Sequence, residues 1–318
     1  LITETAVNVA SPVYFAVFER LLTDGDGHVR ALAAIGLSRT HDKGSLEALK
    51  KLLSDPYEDI QEVAVAALSR LREMLDISEF IGYLKDEDPA LRRNSALLLG
   101  KIGARESVHA LGFTLKDADV SVRKAVVEAL AYLKSEEAAR YLELALTDED
   151  ADIRASAALG LGSAGGGKKL ESLVLLLSDP DDGVKIAALR AIGAAGGREA
   201  VDYIVNMLVN QNGFVVTTAI ESLGKLGGER ARDALLGMLG SDDREIRRTA
   251  IYALSSFLGV EEMVLPFLND PDWATRIAAI ETLSSRATPG VRARIEELFD
   301  REEDLAVIKA IEEKFDVR

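Results

Sequence analysis

The 318-residue chain contains no cysteine. Disulfides and thiolate metal sites are therefore excluded, and the absence fits a reducing compartment, with the cytoplasm as the expected location. There are three histidines (His28, His41 and His109), one tryptophan (Trp273) and only 5% aromatics. So small a stock of imidazole and indole offers little for a metal cage, or for the aromatic grip that holds an extruded base. Basic residues are also scarce, 38 Lys+Arg against 53 Asp+Glu, for a formal net charge of −15. A polyanionic backbone or an anionic membrane needs clustered Lys/Arg, so neither nucleic acid nor membrane is the expected partner. No apolar run approaches the roughly 20 residues of a membrane span, and Leu173–Leu177 reads as a helix core. Period-2 alternation is missing as well, which leaves strands without support.

What the chain has is repetition. An apolar anchor recurs at Val29, Ile60, Leu91, Val122, Ile153, Val184, Val215 and Ile246 with a period of 31 residues, and a last copy stands at Thr275. A fixed period in the 20–50 range marks a solenoid. Each unit reads as two helices. The first opens at an Asp three residues before the anchor (Asp26, Asp88, Asp119, Asp150, Asp181, Asp243, Asp272), where a carboxylate accepts free N–H groups of the first turn. Ala or Ser stands four residues after most anchors, which lets neighbouring helices approach closely, and glycine-rich turns follow at Gly103, Gly165–Gly167, Gly196–Gly197, Gly227–Gly228 and Gly259. The second helix carries two large apolar columns in i, i+4 register, one buried face. They are Phe18, Leu49, Phe80, Leu111, Leu142, Leu173, Ile204, Leu235 and Val264, and then Leu22 through Leu268. The expected fold is all-α: a right-handed α-solenoid of about ten helical hairpins, forming one domain over residues 1–318. Residues 1–23 are a partial first repeat, with Ser11-Pro12 opening its helix and Leu1–Ala10 the remnant of a partner. Residues 24–300 hold nine repeats. Residues 301–318 are a C-terminal capping helix with Leu305, Ile308, Ile311 and Phe315 on one face.

The motif Asp-x-x-[Val/Ile]-Arg-x-x-Ala-x-x-[Ala/Gly]-Leu-[Gly/Ser] stands at Asp119, Val122-Arg123 and Ala129-Leu130-Ala131, and again at Asp150, Ile153-Arg154, Ala157 and Gly160-Leu161-Gly162. It resembles the HEAT-like repeats of the short bacterial and archaeal type, the phycobilisome-lyase HEAT-like repeats, over nearly the whole chain. The resemblance implies second helices on a concave face and first helices on a convex one. For function it is broad, since such proteins include scaffolds, lyase subunits, regulators and enzymes.

Several charged clusters imitate sites. The arginines one residue after the anchor (Arg30, Arg92, Arg123, Arg154, Arg247, Arg276) accompany aspartates three and five residues before it. Repetition in nearly every unit favours a ladder between stacked units over an anion or metal site. Gly162-Ser-Ala-Gly-Gly-Gly167-Lys168-Lys169 approaches a phosphate-binding loop, but Lys169 replaces the required hydroxyl and no strand precedes it. Asp24-Gly-Asp26 and Asp148-Glu-Asp150 lack the glycine and glutamate of a calcium loop. No His-Glu dipeptide suggests an iron-binding HEAT-like hydroxylase, and no nucleophile–base pair emerges. Neither a catalytic group, nor a cofactor, nor a metal is expected.

That leaves the second-helix face opposite the buried columns. Nine residues before successive anchors stand Phe113, Leu144 and Leu175, with Tyr141 and Tyr203 three residues earlier in their own units. These five form the candidate partner-binding strip on the concave surface. Its rim is Arg140, Glu171, Asp202, Asp233 and Glu262. An apolar strip with a polar rim suits a peptide, helix or domain of another protein; the alternative is burial of these side chains between tightly curved second helices. One unit departs from the pattern, with Asn210, Asn212 and Val216 where Asp, Asp and Arg are expected, and Phe214 before the anchor. The expected function is a protein-interaction scaffold or regulatory adaptor. The alternatives are a chromophore (bilin) lyase-like subunit, and, since the chain opens at Leu1 and residues upstream are expected, the interaction module of a larger protein.

Overall fold

The computed structural model describes residues 15–40, 43–163, 169–196 and 198–315. Leu1–Ala10, Ser11-Pro12, His41, the Gly165–Gly167 turn with Lys168, and Gly197 lie outside them. The described residues are helical throughout, with short 3-10 turns and no strand. The chain divides into two compact units, Leu1–Ala164 and Gly165–Arg318.

In the first unit the helices are α1 (Phe15–Leu21), α2 (Gly27–Leu37), α3 (Lys43–Lys51), α4 (Glu58–Arg70) and α5 (Ile77–Tyr83). They continue with α6 (Pro89–Lys101), α7 (Val108–Thr114), α8 (Val120–Leu133), α9 (Glu136–Ala145) and α10 (Ala151–Ser163). Even-numbered helices carry the anchors and stack in sequence, α2 on α4, α4 on α6, α6 on α8 and α8 on α10. Small residues make this approach possible: a Cβ added to Gly100 on α6 would lie 2.4 Å from the Ala129 Cα on α8. The second helices cover one flank of that row through the paired apolar columns. Phe18, Leu49, Phe80, Leu111 and Leu142 are at most 1% exposed, each burial contributing about 1.5–3 kcal/mol.

The second unit repeats the scheme with α11 (Leu170–Leu175), α12 (Asp182–Ala195), α13 (Val201–Val205), α14 (Gly213–Leu226) and α15 (Glu229–Met238). There follow α16 (Arg244–Leu254), α17 (Glu261–Val264), α18 (Trp273–Ser284), α19 (Pro289–Phe299) and α20 (Leu305–Phe315). Here α12, α14, α16, α18 and α20 form the stacked row. The C-terminal helix α20 thus occupies a first-helix position. Its buried face is Val307, Ala310, Ile311 and Phe315, whereas Leu305 is 80% exposed. The expected face, which began at Leu305, is rotated: the row the helix joins selects positions 307, 311 and 315.

The caps follow the repeat. Asp26, Asp88, Asp119, Asp150, Asp181, Asp243 and Asp272 each accept a first-turn N–H of the helix they precede. The aspartate two residues before most of them accepts the cap's own N–H, as Asp24, Asp86, Asp117 and Asp148 do at 2.8–2.9 Å. The carboxylate clusters that imitate calcium loops are therefore occupied by backbone. Positive φ follows several helices, among them α6 at Gly103 (φ 73°) and α12 at Gly196 (φ 76°), where a Cβ is unfavourable, whereas Lys134 adopts it after α8 (φ 44°) with a side chain.

Candidate protein-interaction face

Beside the caps runs the arginine ladder. Arg30 binds Asp55 through Nε and Nη2, both at 2.9 Å, and its Nη1 donates to the Asp24 carbonyl at 2.8 Å. Arg92 repeats this with Asp117 (2.7 and 2.9 Å) and the Asp86 carbonyl, and Arg123 with Asp148 (2.9 and 3.1 Å) and the Asp117 carbonyl. Each guanidinium joins its own loop to the loop of the next hairpin. Hydrogen bonding to the aspartate outweighs burial and holds Arg30, Arg92 and Arg123 above the usual arginine range. Burial would raise Asp117, but its bonds from Arg92 and from the Asp119 N–H bring it below the ordinary carboxylate range. Where Gln61 replaces the arginine, its amide donates to the Asp55 carbonyl and accepts from Asn94 at 2.8 Å, within a buried polar knot. These charges are engaged in structure.

The strip residues of the first unit stand on α7 and α9. Phe113 is 76% exposed and Leu144 66%. Exposure of large apolar side chains at one column of successive repeats speaks against burial between second helices here. Tyr141 is different. It is half-buried against the backbone of α7, where a Cβ on Gly112 would lie 2.2 Å from its ring. Its hydroxyl meets His109 Nδ1 at 2.9 Å, and His109 Nε2 lies 2.8 Å from a Glu137 carboxylate oxygen. Within its own repeat the sequence pattern offers His109 no partner. The signal was available: Tyr141 lies one period plus one residue beyond it, which places the two on neighbouring second helices. The rim residue Arg140 is exposed, with Glu136 at 3.7 Å.

Phe113 also lines a cleft of about 500 Å³ between α5 and α7, together with Ile81, Leu84, Ala110, Lys85 and Lys116. The pair of second helices before it, α3 and α5, is closed instead by a polar network. Lys50 binds Glu47 and Glu79, Tyr83 donates to Glu79, and Lys50 sits 5.9 Å from the Phe80 ring centroid. Burial and the bond to Glu79 push the Tyr83 hydroxyl up to about 12.

In the second unit, Leu175 on α11 is 76% exposed and Tyr203 on α13 is 55% exposed. The rim residues Glu171, Asp202, Asp233 and Glu262 are exposed as well. Asp202 receives Arg230 at 2.9 Å and Asp233 receives Arg232 at 3.1 Å, so part of this acidic rim is neutralised. At the irregular unit, Asn212 caps α14 by accepting the Val215 N–H at 3.0 Å, Val216 is buried, and Phe214 stands 78% exposed. No helix among the described residues is long and apolar enough to cross a membrane.

The stacked hairpins with their caps and ladder define an α-solenoid. The sequence matches the profile of HEAT repeats over residues 16–79, 77–162 and 170–255, and the chain belongs to that family. No curated protein matches it at a significant level. Among solved structures, Kap95p in its complex with RanGDP is similar with a TM-score of 0.68 and 14% identity, over 93% of this chain and 48% of that one. The Escherichia coli protein YibA gives 0.54 and 20%, over 80% and 97%. A phycocyanin lyase complex of CpcE and CpcF from Nostoc gives 0.44 and 24%, over 71% and 94%. At these identities the first two show the fold alone, and the third supports no further conclusion. The chain spans less than half the length of the karyopherins it resembles.

Proposed function

We propose that this chain is a scaffold or regulatory adaptor that holds a segment of another protein on its second-helix face, the concave face in the HEAT arrangement, without catalysing a reaction. The supporting observation is the exposure of Phe113 and Leu144 in the first unit, 76% and 66%, and, in the second unit by itself, of Leu175, 76%, at the same column of the repeat. A partner that covers them recovers about 1.5–3 kcal/mol for each side chain fully buried. Phe113 and Leu144 supply the apolar contacts of the first unit, and Leu175 and Tyr203 those of the second. Tyr141 is held by His109 and, being half-buried, has less free surface to offer. Arg140 supplies the polar rim in the first unit, and Glu171, Asp202, Asp233 and Glu262 supply it in the second. HEAT-repeat solenoids are in general interaction scaffolds, and Kap95p, which shares the fold, is seen with Ran.

The test is affinity purification from the native host with the parent chain and with a Phe113→Ser, Leu175→Ser double variant. Both residues are exposed, so the variant should fold. Selective loss of a captured protein is expected; equal recovery of every captured protein from both baits overturns the reading.

A further inference from the structure

The cleft between α5 and α7 carries more information than the rest of the strip, because its charge is uncompensated. Its floor is apolar, formed by Ile81, Leu84, Ala110 and Phe113. Its two cations, Lys85 and Lys116, are exposed and stand one repeat apart, each directly after the second-helix leucine column. Neither ammonium group makes an ion pair or hydrogen bond with another described residue. The carboxylates that follow them are otherwise engaged. Asp117 holds Arg92 in a bidentate pair and accepts the Asp119 N–H, and Asp86 accepts the Asp88 N–H. In the neighbouring interval between α3 and α5, the residue one period before Lys85 is Ser54, and the lysine that stands there, Lys50 on α3, is already paired with Glu47 and Glu79. Two unpaired ammonium groups beside a bare phenylalanine, on a chain of net charge −15, suit carboxylates supplied from outside.

We propose that this cleft takes an acidic segment of a partner protein, with one large apolar side chain seated against Phe113, Ile81 and Leu84 and flanking Asp or Glu carboxylates paired with Lys85 and Lys116. The proposal rests on the segment-binding reading above and narrows its partner class. Apolar burial supplies the affinity, while the lysines select the charge of the segment and set its register along the cleft. The overall negative charge of the chain disfavours such a segment on most of the remaining surface, which adds to the preference for this interval.

The experiment is selection of a displayed library of random peptides, each roughly a dozen residues, on the full chain, followed by fluorescence anisotropy of a synthesised winner. Enrichment of sequences with a large apolar residue between acidic ones is expected. The winner should bind a Lys85→Gln, Lys116→Gln variant roughly tenfold more weakly, as two modest exposed ion pairs imply. Its affinity should also fall as salt rises from about 0.05 to about 0.5 M. A Lys85→Glu, Lys116→Glu variant, checked for folding by circular dichroism, should reverse the preference towards Lys/Arg-flanked sequences. Enrichment of neutral or basic peptides on the parent chain overturns this inference and leaves segment binding standing. So does an acidic winner lost on Phe113→Ser but indifferent to both lysine variants. No enrichment, or enrichment indifferent to Phe113→Ser and Leu175→Ser, overturns both. A sedimenting dimer of the parent chain that dissociates on the Lys→Glu exchange makes the occupant a second copy and overturns the assignment to a foreign segment.

Discussion

In the first unit Arg30, Arg92 and Arg123 each grip the next hairpin's aspartate with two short hydrogen bonds. In the second unit the same positions hold Lys185, Val216, Arg247 and Arg276. Lys185 binds Asp182 in its own helix at 2.8 Å and reaches Gln211 at 3.3 Å. Arg247 lies 3.2 Å from Asp270, yet its Nε–H finds no hydrogen-bond partner. Only Arg276, with Glu302 at 2.8 and 2.9 Å, matches the first unit. The backbone departs at the same place. Asp55, Asp179 and Asp270 sit in extended conformations with φ near −60°, whereas Asn210 is left-handed at φ 57°. The lost charge and the changed loop thus fall at the same position. Most anchors, by contrast, persist: Val184, Val215 and Thr275 are fully buried, and Ile246 is half-buried. Packing defines the fold, and the ladder adds stability that can be locally surrendered.

The difference is sharpest under mutation. Arg123→Ala strands the largely buried Asp148 carboxylate and should cost about 3 kcal/mol. Lys185→Ala, whose partner Asp182 is well exposed, should cost under about 1 kcal/mol. Urea melts give both numbers, and equal losses would erase the distinction between the units. Smaller is the effect of filling the helix contacts. Gly100→Ala places a methyl 2.4 Å from the Ala129 Cα, which must shift, for about 1–2 kcal/mol of destabilisation. Gly193→Ala in the second unit meets its nearest atom, Ser222 Oγ, at 3.2 Å. There the helix-propensity gain of about 1 kcal/mol should leave stability unchanged or slightly improved. Thermal midpoints in the opposite order would show that the first unit's helices are not the closer packed. Smallest is a correction within the first unit. Ser95 Oγ is buried without a hydrogen-bond partner at a position that is Ala33, Ala64, Ala157, Ala188, Ala219, Ala250 and Ala279 elsewhere. Ser95→Ala should therefore stabilise the chain by about 1 kcal/mol, and a lower melting temperature would mean that the hydroxyl has a role.

The repeat made most of this fold legible. Caps, anchors and the ladder are visible in the sequence because each recurs, and recurrence separates a structural aspartate from a catalytic one. What escaped belongs to pairs and ends. The His109–Tyr141 contact joins two residues whose own columns are unremarkable, and Lys85 and Lys116 look like ordinary surface charge until their lack of carboxylate partners is visible. The α20 face was misplaced by starting it at Leu305, because a last helix shows its periodicity without the neighbour that decides which side is inward. The candidate strip was legible as a column of Phe113, Leu144 and Leu175. The engagement of Tyr141, and the arginines that partly neutralise the rim, depend on side-chain geometry that spacing does not contain.

The rungs have a direction. Every intact hairpin presents a guanidinium towards the following hairpin and receives the previous one on its opening aspartate, like a plug at one end and a socket at the other. A 31-residue piece cut between those two points would carry both and fit before or after any sibling, so the array can lengthen by copying without redesigning a junction. It cannot join to itself head to head, since two plugs or two sockets would meet. The same polarity leaves unplugged arginines and empty sockets only at the ends of an array, or where, as at Lys185 and Asn210, a connector has been lost along the way.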